Sequence, residues 1–306
     1  MTGSPNPDNQ PQSNANRRFW FLLLSRTGMS LGVILLVGIA GGAWWAWTFI
    51  NNKLAPLVET NLQQLLGRPV QVGKVEDFSW NSLRFGPSSV PATPTDPDNL
   101  KTKAVQVQFD PWQLITNRTL KLNVTLVQPD IYIEQDQQGR WVTTAIKPSA
   151  EEQTGFIQTE LEGIEVKSGD LTLQPASQAK KPKAAVGFNQ VNGSARFLER
   201  NQLITFKFNS QPANGGDLQI VGNTRPSIGQ TNLKINASQL LASDLSRLVE
   251  TPVDIQAGRV GGDLTVQLQQ NQPEIALFGT VGLNQITAQV ANIPTKISNT
   301  TGQLNF

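Results

Sequence analysis

From Val70 onward, apolar and polar residues alternate with a period of two. The clearest examples lie at residues 105–109 and 120–126. Their apolar members are Val105, Val107, Phe109, Leu120, Leu122, Val124 and Leu126. This alternation is typical of β-strands that have one apolar and one polar face. Because it recurs to the end of the chain with only short gaps, it predicts hairpins and a long antiparallel sheet.

Helical patterns are few after Val70. Residues 111–117 and 238–250 carry apolar residues at helical spacing, and each segment predicts a short helix. Residues 86–99 contain four prolines and predict an extended loop. Such short helices cannot cover a large sheet. We therefore expect the sheet either to close as a β-sandwich or to curl into a groove with an open apolar face.

The segment before Val70 has a helical period. Apolar residues recur at spacings of three and four, at Leu54, Leu57, Val58, Leu62, Leu65 and Leu66. The pattern predicts an amphipathic helix over residues 54–67. Gly67 and Pro69 end it, since glycine accepts a left-handed backbone and proline cannot continue a helix. The apolar stripe suits either the membrane interface or a core beneath the first strands.

The stretch from Met29 to Ile50 contains no charged side chain. As an α-helix it would be about 33 Å long, enough to cross a hydrocarbon core of about 30 Å. Trp44, Trp45 and Trp47 crowd its C-terminal end, and tryptophan is enriched at membrane interfaces. Residues 19–53 are therefore predicted to form a transmembrane anchor.

The basic residues around this stretch predict its orientation. Arg17, Arg18 and Arg26 precede it, whereas only Lys53 follows closely. The excess places the N-terminus in the cytoplasm and everything after residue 53 across the membrane. Residues 1–18 are mostly polar and predict a disordered cytoplasmic tail. A cleaved signal peptide, cut among the small residues near the end of the apolar stretch, is the alternative.

The chain contains neither cysteine nor histidine. Their absence removes disulfides, thiolate nucleophiles, the usual zinc sites and every triad built on imidazole. A formal net charge of +2 does not fit a basic nucleic-acid-binding surface. We therefore predict that the protein is not an enzyme, that it has no catalytic residue, metal or cofactor, and that no nucleic acid is its partner.

A short motif recurs in the second half of the chain. It reads Gly169-Asp170-Leu171, Gly216-Asp217-Leu218 and Gly262-Asp263-Leu264, with Gly302-Gln303-Leu304 as a variant. The copies lie 47, 46 and 40 residues apart. Repeats at such spacings are typical of array-like architectures. Each glycine is predicted to be a turn that leads into a strand. The last copy stops in mid-strand, which predicts that the sequence is the front part of a longer protein.

Several motifs in the first half of the chain point to a family. They include Leu65-Leu66-Gly67-Arg68-Pro69-Val70, Leu83-Arg84-Phe85-Gly86-Pro87, Asp110-Pro111-Trp112, Val127-Gln128-Pro129-Asp130 and Gly139-Arg140-Trp141. Over residues 19 to about 145, the chain resembles the TamB/AsmA-like envelope proteins, especially their cyanobacterial and plastid members. Beyond that point only the β-repeat character agrees.

The resemblance implies a translocation and assembly module that bridges the inner and outer membranes. Its long curled β-sheet would carry phospholipid in an apolar groove, or assist the assembly of outer-membrane barrel proteins. Its partners would be phospholipid, the inner membrane and a barrel assembly protein of the Omp85 type, the last through a C-terminal part with no counterpart in this sequence. Residues 68–306 would form the repeating β-groove in the periplasm, truncated at its C-terminal end, and the chain would be a single-pass protein of the inner (plasma) membrane.

The seven apolar residues of 105–109 and 120–126 are the first candidates for a groove lining, and ordinary sandwich core is the alternative for each. Two other functions remain open from the sequence. An anchored glycan-binding or adhesion protein would use Trp80, Trp112 and Trp141 as stacking platforms. An anchored hydrolase would use paired carboxylates such as Glu160 and Glu162, but alternating acids on a strand are more often solvated.

Overall fold

Strands dominate the described part of this chain, as the alternation predicts. The computed structural model describes residues 59–60, 62–63, 67–136, 139, 141, 158–176, 183–248, 253–269, 275–290 and 296–306. The predicted tail and anchor, with Trp44, Trp45 and Trp47, lie outside these residues. Among the helices that are described, none has the length and apolar character needed to cross a membrane.

Five described residues, 59, 60, 62, 63 and 67, fall inside the amphipathic helix predicted over 54–67. Residues 59, 60, 62 and 63 are all helical. Gly67 follows with a φ of 62°, the left-handed conformation expected of a glycine just after a helix.

Fifteen strands form one sheet in the described residues. The first seven are β1 (Val75–Ser79), β2 (Ser82–Phe85), β3 (Ser88–Val90), β4 (Asn99–Thr102), β5 (Ala104–Phe109), β6 (Thr119–Val127) and β7 (Asp130–Glu134). The other eight are β8 (Gln158–Gln174), β9 (Val186–Leu198), β10 (Leu203–Pro212), β11 (Asp217–Arg225), β12 (Gln230–Leu241), β13 (Val253–Gln269), β14 (Ala276–Val290) and β15 (Lys296–Asn305). The helices are α1 (Pro111–Asn117) and α2 (Ala242–Leu248), and Pro226–Ile228 forms a 3-10 turn.

The order of the strands is nearly linear. The main path runs β1-β2-β5-β6-β8-β9 and then through each successive strand to β15, while β3, β4 and β7 extend β2, β5 and β6 at one end. The pairing is antiparallel, as predicted, except that β8 runs parallel to β6 and β7. Parallel neighbours need a long connection, which residues 135–157 provide. The sheet is not closed.

The two ends of the strands are named here after the helices beside them. The α1 end carries α1, between β5 and β6, and the β1–β2, β9–β10 and β11–β12 turns. The α2 end carries α2, between β12 and β13, and the β8–β9, β10–β11 and β14–β15 connections. Helix α1 begins where predicted, because the Asp110 carboxylate accepts hydrogen bonds from the N–H groups of Trp112 (2.9 Å) and Gln113 (3.4 Å).

A row of β-bulges crosses the sheet near the α2 end. Its members are Ser168, Gln190, Gln239, Gly258, Gln285 and Asn299, one on each of β8, β9, β12, β13, β14 and β15, and all have a positive φ. The register shifts beside them mark where one strand has an extra residue. The extra residue lets apolar side chains on both sides of the bulge face the same way, as Ile255 and Val260 do on β13. Each bulge also bends its strand.

Three of the predicted local structures differ from those observed. Only Gly216 of the repeated motif is a turn glycine; Gly169, Gly262 and Gly302 lie inside strands. An alternating pattern continues through a strand glycine without a break, so the sequence does not separate the two cases. At Gly169 the reason for glycine is close packing, since an added Cβ would lie 2.8 Å from the Pro129 ring.

The proline-rich segment 86–99 is not loop throughout, because it contains β3 and the first residue of β4. The helix predicted over 238–250 begins only at Ala242, and residues 238–241 end β12. The four residues pair with β13, and these ladder hydrogen bonds outweigh the local helical pattern.

Candidate functional site: the apolar face of the sheet

Strands β5 and β6 bring the seven predicted groove residues together on one face. Helix α1 connects these strands, and their register sets Val105 opposite Leu126, Val107 opposite Val124, and Phe109 opposite Leu122. Leu120 lies two residues further along β6 and therefore shares the same face. Val105 and Val107 are buried, as core residues are, whereas the other five are half-buried.

The same face continues across the following strands. One row runs through aligned positions on neighbouring strands: Val105, Leu126, Val166, Gly193, Phe208, Ile220, Ile235 and Leu264. A parallel row contains Val107, Val124, Ile164, Ala195, Phe206, Gly222, Leu233, Val266 and Leu277. These two rows, with Leu83, Phe85, Phe109, Leu120, Leu122 and Leu218, are called the apolar face.

The sequence indicated most of these strands by their alternation, but not β2 or β9, and it did not indicate that the apolar sides align. The register of the pairs is what joins them into one surface.

Burial changes along this surface. Leu83 and Phe85 at the β2 edge are 2% and 0% exposed, whereas Phe206, Ile220 and Leu233 further along are half-buried.

Two glycines make room for aromatic rings on the apolar face. An added Cβ at Gly193 would contact the Phe208 ring and the Lys207 carbonyl, and one at Gly222 would lie 2.8 Å from the Phe206 ring. The two rings also contact each other, with centroids 6.2 Å apart. The phenylalanine side chains thus lie over neighbouring strands and cover backbone that would otherwise be open to solvent.

The opposite side of the sheet, called the polar face, is held by hydrogen bonds and ion pairs. Lys121 Nζ lies 3.0 Å from Glu162, and this hydrogen-bonded partner raises the pKa of Lys121. Asn236 donates to the Asp263 carboxylate at 2.6 Å. Two open depressions of about 470 and 310 Å³ lie beside the bulge row, lined mainly by polar side chains such as Lys167, Asn192 and Asn209. Their lining does not suit an apolar ligand.

Helix α2 packs onto the apolar side at its own end of the strands. Ala242, at its start, belongs to a buried cluster with Ile286 and Ala288 of β14. Leu248, at its end, packs against a second cluster that includes Val166 and Val191 of β8 and β9. The helix therefore contacts both the β8–β9 and the β13–β14 regions.

Polar contacts fix α2 in this position. The buried carboxylate of Asp244 accepts a hydrogen bond from the Asn214 amide at 2.8 Å and pairs with Arg247 at 2.9 Å. Lys183 Nζ donates to the carbonyl of Arg247 at 3.2 Å. Arg259 donates to the carbonyl of Asn214 at 3.3 Å, which holds the β10–β11 turn in place.

A charged cluster joins the residues after Gly67 to the sheet. Arg68 pairs with Asp96 at 2.9 Å and donates to the carbonyls of Pro91 (3.1 Å) and Asp98. Burial raises the pKa of the Asp98 carboxyl above its ordinary value of 3.8, and nearby Asp96 adds to this. A hydrogen bond of 2.7 Å from the Glu134 N–H opposes the shift. The cluster connects the chain entering the sheet with β4 and β7.

The three tryptophans of the glycan-binding alternative are only partly grouped. Trp80 and Trp112 are 69% and 68% exposed. Both lie at the α1 end, since the Phe109 N–H donates to the Asn81 carbonyl at 2.9 Å and so joins the β1–β2 turn to the start of α1. Trp141 is half-buried and lies in the connection between β7 and β8.

The carboxylates of the hydrolase alternative lie at the start of β8. Glu162 is the partner of Lys121 and also accepts a hydrogen bond from Asn123 at 3.1 Å. Its contacts are those of a surface ion pair. Within the described residues, no three acidic side chains are grouped so that they could hold a metal ion.

Comparison with known proteins adds no relative. No family model matches the chain, and no curated protein matches it significantly.

Proposed function

We propose that this chain is a membrane-anchored protein whose apolar face curls into a groove that carries phospholipid between the inner and outer membranes, or assists the assembly of barrel proteins in the outer membrane. The observation that carries the proposal is the continuity of the apolar face over ten strands, from β2 to β14. At about 4.8 Å for each strand, this face is roughly 43 Å long. An acyl chain gains about 0.8 kcal/mol for each buried methylene, while its headgroup stays in water.

The contacts of α2 support a curled shape. In a flat sheet, β9 and β13 would lie four strand spacings apart, or about 19 Å. Helix α2 is only about 10 Å long, yet it packs against clusters on both sides. A sheet that bends towards α2 would bring both regions within reach of the helix, which is the shape the proposal requires. The bulge row would supply a physical cause for such a bend, because bulges bend strands and these lie near the same end of β8, β9 and β12 to β15.

The glycan-binding alternative has narrower support. It depends on two exposed tryptophans at one end of the strands, whereas the apolar face involves most of the sheet. A surface of aliphatic and phenylalanine side chains offers acyl chains a favourable environment but few partners for sugar hydroxyls. We therefore prefer lipid to glycan as the ligand.

Site-specific photocrosslinking in the native membrane tests the proposal. The photoreactive residue replaces Leu122 or Ile235, which are half-buried on the apolar face. Their neighbours Lys121 and Lys234, on the polar face, are the matched controls. We expect phospholipid adducts, detected by mass spectrometry, from the first two positions and not from the controls.

Crosslinks from Leu122 and Ile235 only to other residues of this chain would mean that the apolar face is a closed core. The lipid proposal would then fail. Crosslinks at these positions to barrel proteins instead would favour the assembly role over lipid carriage.

A further inference from the structure

Helix α2 occupies space that the proposed function assigns to an apolar ligand. It packs on the same side of the sheet as the lining residues, at the α2 end of the strands. Phe208 and Leu218 of the apolar face belong to the cluster against which Leu248 packs. An acyl chain lying along the face between β9 and β13 would therefore meet the helix unless it stayed near the α1 end.

The way α2 is held differs from ordinary core packing. Its described apolar contacts at the two ends are Ala242 and Leu248, and Asp244 lies between them with both carboxylate oxygens engaged. Asp244 is 5% exposed, so its two partners are what make its burial tolerable. One of them, Asn214, lies on a different connection, the β10–β11 turn. Removal of the Asp244 side chain would remove this hydrogen bond between the helix and the turn.

We infer that α2 is an internal competitor for the groove, a short helix that occupies the apolar face between β9 and β13 and must move aside before acyl chains can fill that region. The inference rests on the proposed function, because it assigns the groove to acyl chains. It adds that the occupied length of the groove is set by whether the Asp244 contacts are made. With α2 in place, acyl chains are confined to the β5–β8 region and, between β9 and β13, to positions such as Ile235 that lie outside the described clusters at the helix.

A photoreactive lipid tests this inference on the full chain in membranes. The probe is phosphatidylglycerol with a diazirine in one acyl chain, and mass spectrometry maps the labelled residues. In the unmodified chain we expect labelling at Leu122 and Val124, with little at Val191 and Leu218, which belong to or pack against the same buried cluster as Leu248. In Asp244→Ala, which removes the acceptor that an asparagine would keep, we expect labelling at Val191 and Leu218 to rise severalfold, while labelling at Leu122 stays unchanged. Asp217→Ala, at an exposed carboxylate on β11, is the control for the change of charge and size.

A second variant links α2 covalently to β14. It keeps the test informative if the Asp244 variant does not fold. Because the chain has no cysteine, Ala242→Cys with Ala288→Cys can be bridged by oxidation or by a short thiol-specific reagent across one buried cluster. We expect the bridged form to lose residual labelling at Val191 and Leu218, and reduction of the same sample to restore it. Labelling of these residues that is equal in the bridged, reduced and Asp244→Ala forms would overturn the inference. Absence of labelling at Leu122 and Val124 in every form would instead overturn the proposed lipid function.

Discussion

Single glycines decide how the aromatic side chains lie on the apolar face. Gly193 is placed between Val166 and Phe208, and a Cβ there would overlap both the Phe208 ring and the Lys207 carbonyl. We expect Gly193→Ala to lower the free energy of unfolding by about 1–3 kcal/mol, since neither the ring nor the backbone can move without disturbing the strand. Denaturant unfolding measures this loss.

Gly302 provides the matched control for this change. It lies in β15, has no atom within 4 Å of an added Cβ, and does not need a left-handed backbone. Gly302→Ala should therefore leave stability within about 0.5 kcal/mol of the original. Equal effects at the two glycines would show that the packing of Phe208 is not what requires Gly193.

Asp98 is expected to make stability depend on pH. Its pKa is raised in the folded state, so the folded protein binds a proton more tightly than the unfolded chain does. The free energy of unfolding must then fall as pH rises from 3.8 through the raised folded pKa, and the loss is complete above it. In Asp98→Asn this contribution is absent, while the amide oxygen still accepts the hydrogen bond from the Glu134 N–H. Relative to the original protein, the variant should gain stability across that interval and keep the gain at higher pH.

Asp96→Asn gives the contrast for this prediction. Asp96 neutralises Arg68, and both side chains are largely buried, at 14% and 10% exposure. Removing its charge should lower the free energy of unfolding at neutral pH by about 1–3 kcal/mol. Urea unfolding at several pH values compares the stability of the two variants. If the stability that Asp98→Asn gains over the original protein does not grow with pH, burial does not raise the pKa of Asp98.

The bulge row interrupts regular strand pairing near the α2 end. Substitution of Gln239 tests the backbone conformation at one of these bulges. Its φ of 53° is costly for a β-branched residue and easy for glycine. Gln239→Val should therefore cost about 1–2 kcal/mol in the free energy of unfolding, and Gln239→Gly should cost less than 0.5 kcal/mol. Gln219→Val, at an exposed position of regular strand β11, should be neutral or stabilising because valine favours strands. Thermal unfolding compares the stability of the three variants. If Gln239→Val destabilises the protein no more than Gln219→Val does, residue 239 does not have the positive φ of a bulge.

The short helices show what local sequence predicts well and where it fails. Helix α1 was predictable to the residue, because Asp110 and Pro111 fix its start. Helix α2 was predictable only in part, since residues 238–241 have a helical pattern but complete a ladder with β13. Its role on the apolar face was not predictable, because the strands that it contacts are distant in sequence.

At the scale of the whole molecule, the linear strand order is what turns separate alternating segments into one surface. Each strand from β8 to β15 pairs with the next, so the apolar sides of successive strands meet edge to edge. The face is buried near β2, around α2 and at Val266 of β13, and its other members on the later strands are mostly half-buried. This gradient is why Leu122 and Ile235 are better probes of a ligand than Val107.

The sequence by itself determined that strands dominate after Val70 and, in segments such as 105–109 and 120–126, which side is apolar, because period-two alternation is a local property of the chain. It also determined the start of α1, the helix stop signal at Gly67 and the turn at Gly216. The tertiary structure alone decided that β8 runs parallel to β6, that the bulges align in one row, and that α2 lies on the apolar face. These features depend on contacts between residues far apart in sequence, and no local pattern encodes the register in which such segments pair.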